Sequence, residues 1–218
     1  DVAPYRMISP EDNARICLHA AGQVPVTVYY GRPSFQASVK AGAAEAPKTE
    51  AIAKAFEADP ITPVNTLAAA AEAVFSHGTA DVKVAMDGLT AKQAITLMRD
   101  VASKTPRGPS QFFSAAFNLN RPLVDDRQSP PVTVTDPRAL ARLVPELAAA
   151  GGWQKVTVDS ASDKVPSTPL MELLGFEALV DFVHEAHRRG LETYISGGMR
   201  DQHFEDAVLS GVGGVGVG

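Results

Sequence analysis

A lysine stands in the middle of a segment that has the composition of a buried strand. The segment at 80–88 reads ADVKVAMDG, and because side chains alternate along a strand, Val82 and Val84 share one face while Lys83 lies on the other. Both faces of a parallel strand in an α/β protein are normally covered, so we expect Lys83 to point into the interior. A buried ammonium either pairs with a carboxylate or loses its proton, which makes Lys83 a candidate nucleophile or phosphate ligand. The alternative is an edge strand whose lysine reaches solvent.

Composition limits the partners of such a chain. With 218 residues, 45% apolar and 21% charged, it suits one large domain or two small ones. The formal net charge of −5 argues against a nucleic-acid or acidic-membrane partner, although it allows a small anionic substrate. The single cysteine, Cys17, excludes an intramolecular disulfide framework and fits a reducing compartment. No apolar stretch approaches the roughly 20 residues of a spanning helix, and no signal-peptide pattern opens the chain. We therefore expect a cytoplasmic protein.

Strands and helices alternate along the second half of the chain. Strands are predicted at 110–120, 153–161, 191–196 and 212–217, and helices at 137–150, 175–189 and 201–209. Successive strand–helix units of this kind imply a parallel sheet. The loops at 121–136 and 162–174 are unusually long, and long loops at the carboxyl ends of barrel strands commonly carry function.

The first half repeats this alternation less clearly. Strands are predicted at 5–9, at 24–30 and around Lys83, and helices at 10–21, 64–75 and 91–102. One further strand is placed at 51–57, although its Ala, Lys and Glu content favours a helix. Counting it gives eight strand–helix units, which predicts an α/β fold with a single (β/α)8 TIM barrel spanning 1–218, and a doubly wound open sheet is the competing fold. The missing initiator Met and the terminal glycine run leave both ends open to trimming.

Polar residues fall where the predicted strands end, and in a barrel the chemistry lies at that carboxyl-terminal face. In the strand at 153–161, Val156 and Val158 face the helices, which leaves Asp159 on the inner face near the mouth. Asp159 can supply the charge partner or proton acceptor that a buried Lys83 needs. Lys164 follows in the next loop and can reach the same mouth. The other polar residues at strand ends are Ser9, Asp87, Asn118, Asn120, Ser160 and Ser196.

Glycines near the last two predicted strands indicate a phosphate site. Gly197 and Gly198 follow Ser196, and further glycines at 213, 214, 216 and 218 surround the final strand. Backbone N–H groups without side-chain obstruction bind anions, and the ends of strands seven and eight form the usual phosphate site of barrels. Arg200 can add a charge-assisted contact. The candidate substrate or phosphate contacts are Ser196, Gly197, Gly198, Arg200, Gly216, Gly218, Asn118 and Asp87. Tight barrel packing explains Gly213 and Gly214 almost as well.

Neither a cofactor nor a metal site is indicated. The stretch at 211–216 (GVGGVG) matches a dinucleotide fingerprint, but no helix or acidic residue follows it. His184 and His187 are three residues apart near a predicted helix end, where cations are favourable, and they lack zincin spacing. We therefore expect a cofactor-free and metal-free protein.

Eight segments share their order and spacing with a known family. They are ISPED, DPITPVNT, DVKVAMDG, ITLMRDV, VDSASDK, ELLGFEALVDFVHEAHRRGL, ISGGMR and GVGGVGVG. In these segments the chain resembles the formylfuran-methyl phosphate synthases of methanofuran biosynthesis. The resemblance implies a barrel that condenses two molecules of glyceraldehyde 3-phosphate into a furan phosphate through lysine Schiff-base chemistry. By position, it assigns the family's strand-four lysine to Lys83, its strand-six aspartate to Asp159, and the following lysine to Lys164, with one residue inserted.

The sequence departs from that family at an important position. The family's second strand ends in Asp-Val-Lys, whose lysine forms the Schiff base, whereas this chain has Tyr29, Tyr30 and Gly31 at those positions. Gly198 also stands where a serine is usual, and the chain ends before the family's strand-eight arginine. Either Lys83 or Lys164 then acts as the amine, or the chain has a different activity.

Together these features predict a lyase- or aldolase-type enzyme for a small phosphorylated aldehyde or ketone. Lys83 is its amine or electrostatic anchor, Asp159 its acid/base, and Lys164 a second cation or proton donor. The alternatives are isomerisation or a different condensation at the same site, or a catalytically silent phosphate-binding homologue. The only expected partner is the small phosphorylated substrate, and a homo-oligomer is left open.

Overall fold

The computed structural model describes residues 10–20, 22–30, 49–160 and 168–217. The α-helices in these ranges are α1 (Pro10–Ala20), α2 (Thr49–Ala58), α3 (Ile61–Ser76), α4 (Ala91–Lys104), α5 (Pro137–Ala150), α6 (Leu170–Leu174), α7 (Phe176–Arg188) and α8 (Phe204–Leu209). The strands are β1 (Thr27–Tyr29), β2 (Asp81–Ala85), β3 (Phe112–Asn118), β4 (Leu123–Asp125), β5 (Val132–Val134), β6 (Lys155–Asp159), β7 (Glu192–Ser196) and β8 (Gly214–Val215). A short 3-10 turn, Asp201–His203, precedes α8.

Six of these strands form one parallel sheet in the order β1-β2-β3-β6-β7-β8. Parallel neighbours require crossover connections, and α4, α5 and α7 supply them between β2 and β7. The fold is therefore α/β with a parallel sheet, as the alternating pattern predicts. Among the described residues, β1 and β8 are the two edges and do not pair with each other. These residues thus form an open six-stranded sheet, and a full eight-stranded barrel is not shown.

The strand predicted at 51–57 is wrong, because these residues belong to α2. Ile52 and Phe56 are 2% and 3% exposed, and their spacing of four places both on one side of a helix. The Ala, Lys and Glu content of the segment favours the same conformation. The count of eight strands depended on this segment. The strand predicted at 5–9 lies outside the described residues.

The other predicted elements are present in the described ranges. The strands predicted at 24–30 and 212–217 are shortened to β1 and β8, and the helix predicted at 201–209 begins with the 3-10 turn. The helix predicted at 137–150 matches α5, which begins after Asp136, whose side chain accepts a hydrogen bond from the N–H of Ala139 at 2.8 Å. The long loop at 121–136 contains the antiparallel β4–β5 hairpin. Arg127 secures this hairpin, since its guanidinium lies 2.8 Å from Asp125 and 2.7 Å from Glu146 on α5.

The parallel sheet is strongly curled. Lys83 on β2 and Ser196 on β7 are separated by β3 and β6, three strand intervals that would span about 14 Å in a flat sheet. Lys83 Nζ nevertheless lies 3.4 Å from Ser196 Oγ. Lys155 on β6 likewise reaches Asp81 on β2 at 3.2 Å. Side chains on the concave face therefore converge as they do inside a barrel.

The hydrophobic core lies between the convex face of the sheet and the surrounding helices. Its largest side chains meet at Phe113, which is fully buried. The Phe113 ring stacks on Trp153 at 4.8 Å between centroids and meets Phe75 edge-on at 5.4 Å. The indole N–H of Trp153 donates to the carbonyl of Met98 at 2.7 Å. This aromatic cluster joins α3, α4 and β3.

The aromatic cluster predicts a large cost for truncating Phe113. We expect Phe113→Ala to lower the free energy of unfolding by about 3–5 kcal/mol, because it leaves a cavity among rings that cannot close over it. The matched control is Phe176→Ala, since Phe176 is 40% exposed and should cost about 1 kcal/mol or less. Urea unfolding followed by circular dichroism measures both. Equal losses would contradict the assigned core.

Candidate functional site

Lys83 lies on the concave face of the sheet, as the alternation along its strand predicts. Its Nζ donates to Ser196 Oγ at 3.4 Å, and Ser196 Oγ donates to a carboxylate oxygen of Asp159. The parallel register places Asp159 beside Ser196 and Tyr29 beside Lys83. The Tyr29 ring centroid is 5.4 Å from the Lys83 Nζ. The structure therefore brings together the predicted lysine, serine and aspartate in one hydrogen-bonded chain.

Burial determines the electrostatic state of Lys83. Removal from water lowers the pKa of its amine below the ordinary lysine value, while the charges of Asp159 and Asp81 raise it part of the way back. A larger fraction of this amine is then unprotonated at a given pH than for an exposed lysine. An unprotonated amine next to a hydroxyl and a carboxylate can act as a nucleophile.

A second group of charged side chains, the lower group, lies at the amino-terminal ends of β2, β6 and β7. Lys155 Nζ is 3.2 Å from Asp81 Oδ2 and 3.1 Å from Glu192 Oε2, and it lies 5.2 Å from the Tyr194 ring centroid. Burial raises the pKa of Asp81 to about 6 despite the opposing charge of Lys155. Burial lowers the pKa of Lys155, but Asp81 and Glu192 outweigh it and raise that pKa to about 12.

Sequence reasoning missed this lower group. The signal was available, because the alternation that turns Asp159 inward also turns Lys155 inward, four residues earlier on the same strand. The same rule places Asp81 on the face of Lys83. Barrel chemistry is expected at the carboxyl ends of the strands, and these charges lie at the opposite ends.

Asp87 and Asn118 belong to a rim above the sheet. The N–H of Asn118 donates to Asp87 Oδ1 at 3.1 Å, and the N–H of Asn120 donates to Asn118 Oδ1 at 3.0 Å. The Asn120 amide then reaches the carbonyl of Ser160 at 2.7 Å. Ser160 Oγ donates to the carbonyls of Thr168 and Gly197 at 2.8 and 3.2 Å. These bonds tie together the chain segments that follow β2, β3, β6 and β7.

Gly197 is required where this rim passes over Asp159. Its φ of +104° lies in the left-handed region, which residues with a side chain rarely adopt. A Cβ at this position would lie 2.6 Å from the backbone nitrogen of Ser160 and 2.9 Å from Asp159 Oδ1. Gly198 and Arg200 are exposed just beyond it, and the backbone N–H of Arg200 donates to His203 Nδ1 at 3.2 Å.

Gly214 in β8 and Gly216 just after it make room for neighbouring side chains. A Cβ on Gly214 would lie 2.5 Å from Cδ1 of the Tyr194 ring, and one on Gly216 would lie 2.9 Å from Ser196 Cβ. The N–H of Gly216 already donates to the carbonyl of Ile195 at 2.7 Å. These contacts favour the packing explanation for Gly214, and they favour packing over the predicted phosphate contact for Gly216 as well. Lys164 and Gly218 lie outside the described residues, so their predicted roles stay predictions.

The described ranges contain neither a metal-binding cluster nor a membrane-spanning helix. No group of three or more histidine, cysteine, aspartate or glutamate side chains there could hold a metal ion. Within the same part of the chain, every helix is too short or too polar to cross a membrane.

Comparisons with known proteins give little further information. No protein-family model matches the chain, and no curated protein is similar to it at a significant level. Among solved structures, it is similar to the crystal structure of a "putative lyase/mutase" from Burkholderia cenocepacia J2315, with 10% sequence identity and a TM-score of 0.47. That alignment covers 96% of this chain and 82% of the other. A likeness of this size carries no conclusion about activity.

The close approach at Gly197 predicts an unequal effect of two alanine substitutions. Gly190 also has positive φ, +73°, but a Cβ there would meet nothing within 4 Å. Gly190→Ala should therefore lower the free energy of unfolding by about 1 kcal/mol through backbone strain alone. Gly197→Ala should cost about 2 kcal/mol more, because Ser160 and Asp159 must also move. Urea unfolding compares the two, and equal losses would contradict the packing described here.

Proposed function

We propose that this chain is a lysine-dependent lyase or aldolase, in which Lys83 attacks the carbonyl carbon of a small phosphorylated aldehyde or ketone. The observation that carries the proposal is the Lys83–Ser196–Asp159 chain on the concave face. A half-buried lysine with a lowered pKa, linked through a hydroxyl to a carboxylate, has the parts that imine formation requires.

The steps can be written with these three residues. The neutral amine of Lys83 forms a bond to the carbonyl carbon, and its proton moves to the former carbonyl oxygen to give a carbinolamine. Protonation of that hydroxyl expels water and leaves an iminium ion. Asp159, acting through Ser196, can carry the amine proton to that oxygen, and a second proton, taken from solvent by the same carboxylate, then converts the hydroxyl into departing water. The iminium then draws electrons from the adjacent carbon, so that a C–H or C–C bond there can break.

The phosphorylated class of substrate is supported by the rim. The Gly197–Gly198 bend lies directly after Ser196, and Arg200 is exposed two residues later. Left-handed glycine backbone offers N–H groups to an anion, and a guanidinium favours phosphate. A phosphate at this bend would hold a carbonyl group of the same molecule near Lys83.

A silent phosphate-binding role is the second candidate. It is favoured by the second strand, where Tyr29, Tyr30 and Gly31 replace the Asp-Val-Lys motif that supplies the Schiff-base lysine in the family that the chain resembles. The Tyr29 ring lies 5.4 Å from the Lys83 amine. In that case Lys83 would remain protonated and bind an anion as a point charge.

Borohydride trapping distinguishes the two candidates. With glyceraldehyde 3-phosphate, we expect a reduced adduct on the peptide that contains Lys83, found by mass mapping. Lys83→Met should lower adduct formation at least 100-fold, whereas Lys104→Met, which removes an exposed lysine bound to Asn65, should leave it unchanged. Glyceraldehyde without phosphate should react more slowly. An adduct on another lysine, or phosphate binding without any adduct, would overturn the assignment of Lys83.

The role of Ser196 can be tested in the same assay. Ser196→Ala removes the hydroxyl that joins Lys83 to Asp159, so the rate of trapping should fall by about 10–100-fold. Ser103→Ala is the matched control, since the Ser103 hydroxyl is exposed and bonds only to the carbonyl of Asp100 among the contacts described. An unchanged rate in Ser196→Ala would rule out proton transfer through this hydroxyl.

A further inference from the structure

Asp81 is a buried carboxylate, and only one of its two oxygens has a polar contact. The residue is 4% exposed, and its Oδ2 lies 3.2 Å from Lys155 Nζ. Its Oδ1 is buried and has no hydrogen-bond partner among the described residues. A buried carboxylate oxygen without a donor is unfavourable for folding. Pairing with Lys155 therefore accounts for a negative charge at this position, but not for leaving one oxygen of the carboxylate without a donor.

The carboxylate lies where it can act on the proposed nucleophile. Asp81 and Lys83 are two residues apart on one strand, on the same face and about 7 Å from each other along it. The titratable side chains that face these two residues across the described concave surface are Tyr29, Lys155, Asp159, Glu192 and Tyr194. Lys83 is thus placed between two carboxylates, Asp159 near the mouth and Asp81 below.

We propose that Asp81 is a positioning residue for the reaction, which sets the unprotonated fraction of Lys83 through its buried negative charge. This inference rests on the proposed function, because it assigns the unprotonated amine a role. Lys155 keeps the Asp81 carboxylate in place from β6, and its own contact with Glu192 links the pair to solvent at the sheet's lower edge. The charge of Asp81 favours the ammonium form of Lys83, in opposition to burial.

The test measures the amine itself and needs no substrate. Acetylation of Lys83 by acetic anhydride is followed against pH by peptide mass spectrometry, with exposed Lys92 in the same sample as the internal reference. Removing the negative charge in Asp81→Asn should lower the pKa of Lys83, so the midpoint of its profile should move about one pH unit to lower pH. At a pH below both midpoints, Lys83 should then react about tenfold faster.

Three further variants separate charge from packing. Asp81→Glu keeps the charge, so its midpoint should return toward that of the natural chain. Glu192→Gln removes a carboxylate that contacts the same Lys155 but is 56% exposed, and it should shift the midpoint by less than about 0.3 unit. Where Asp81→Asn alone does not fold, Asp81→Asn with Lys155→Met removes both members of the buried pair. Because it also removes a positive charge near Lys83, that variant should show a shift in the same direction but of smaller size.

The outcomes are distinct from those of the trapping experiment. An unshifted midpoint in a folded variant without the Asp81 charge would overturn the inference, even if Lys83 forms the adduct. An equal shift in Glu192→Gln would also overturn it, since the effect would then not be specific to Asp81. A shift in Asp81→Asn without any aldehyde adduct in the natural chain would support the control of the amine by Asp81 and overturn the proposed function.

Discussion

The position of Lys83 inside the curl of the sheet is the constraint on which the site depends. A flat sheet would leave β2 and β7 too far apart for Lys83 to reach Ser196, whereas the observed separation is 3.4 Å. Curling brings these side chains together and removes them from water at the same time. The loss of water lowers the pKa of the amine, and the convergence supplies Asp159 to oppose that change.

Charges on the concave face are arranged by strand position. Asp81 and Lys155 stand at the first residues of their strands, Lys83 stands two residues further along β2, and Asp159 and Ser196 stand at the last residues of theirs. Lys155 therefore has Asp81 within reach on another strand. Lys83 has Asp159 on another strand and Asp81 two residues earlier on its own strand. This order lets a parallel sheet bury two lysines without leaving either of them uncompensated.

The period of two residues along a strand allowed much of this site to be predicted. It placed Lys83 and Asp159 on the inner face, and it could have placed Lys155 there as well. The meeting of Lys83 with Ser196 could not be predicted in this way, because it depends on the curl across four strands. The role of the glycines could not be predicted from the sequence for a related reason. An anion-binding backbone and a closely packed side chain both require a residue without a Cβ. The packing explanation for Gly214 and Gly216 depends on the positions of Tyr194 and Ser196, which the sequence does not give.

The two carboxylates around Lys83 are held by different means, and this difference bears on their roles. Asp159 accepts a hydrogen bond from Ser196 near the mouth, where a proton can pass between the amine, the hydroxyl and the carboxylate. Asp81 is paired with Lys155 at the other end of the strands, so it can act on Lys83 through its charge. Reaction would then require Asp159 to change its protonation state and Asp81 to keep its own. The attraction of Lys155 favours the ionised form of Asp81, against a burial that raises its pKa to about 6.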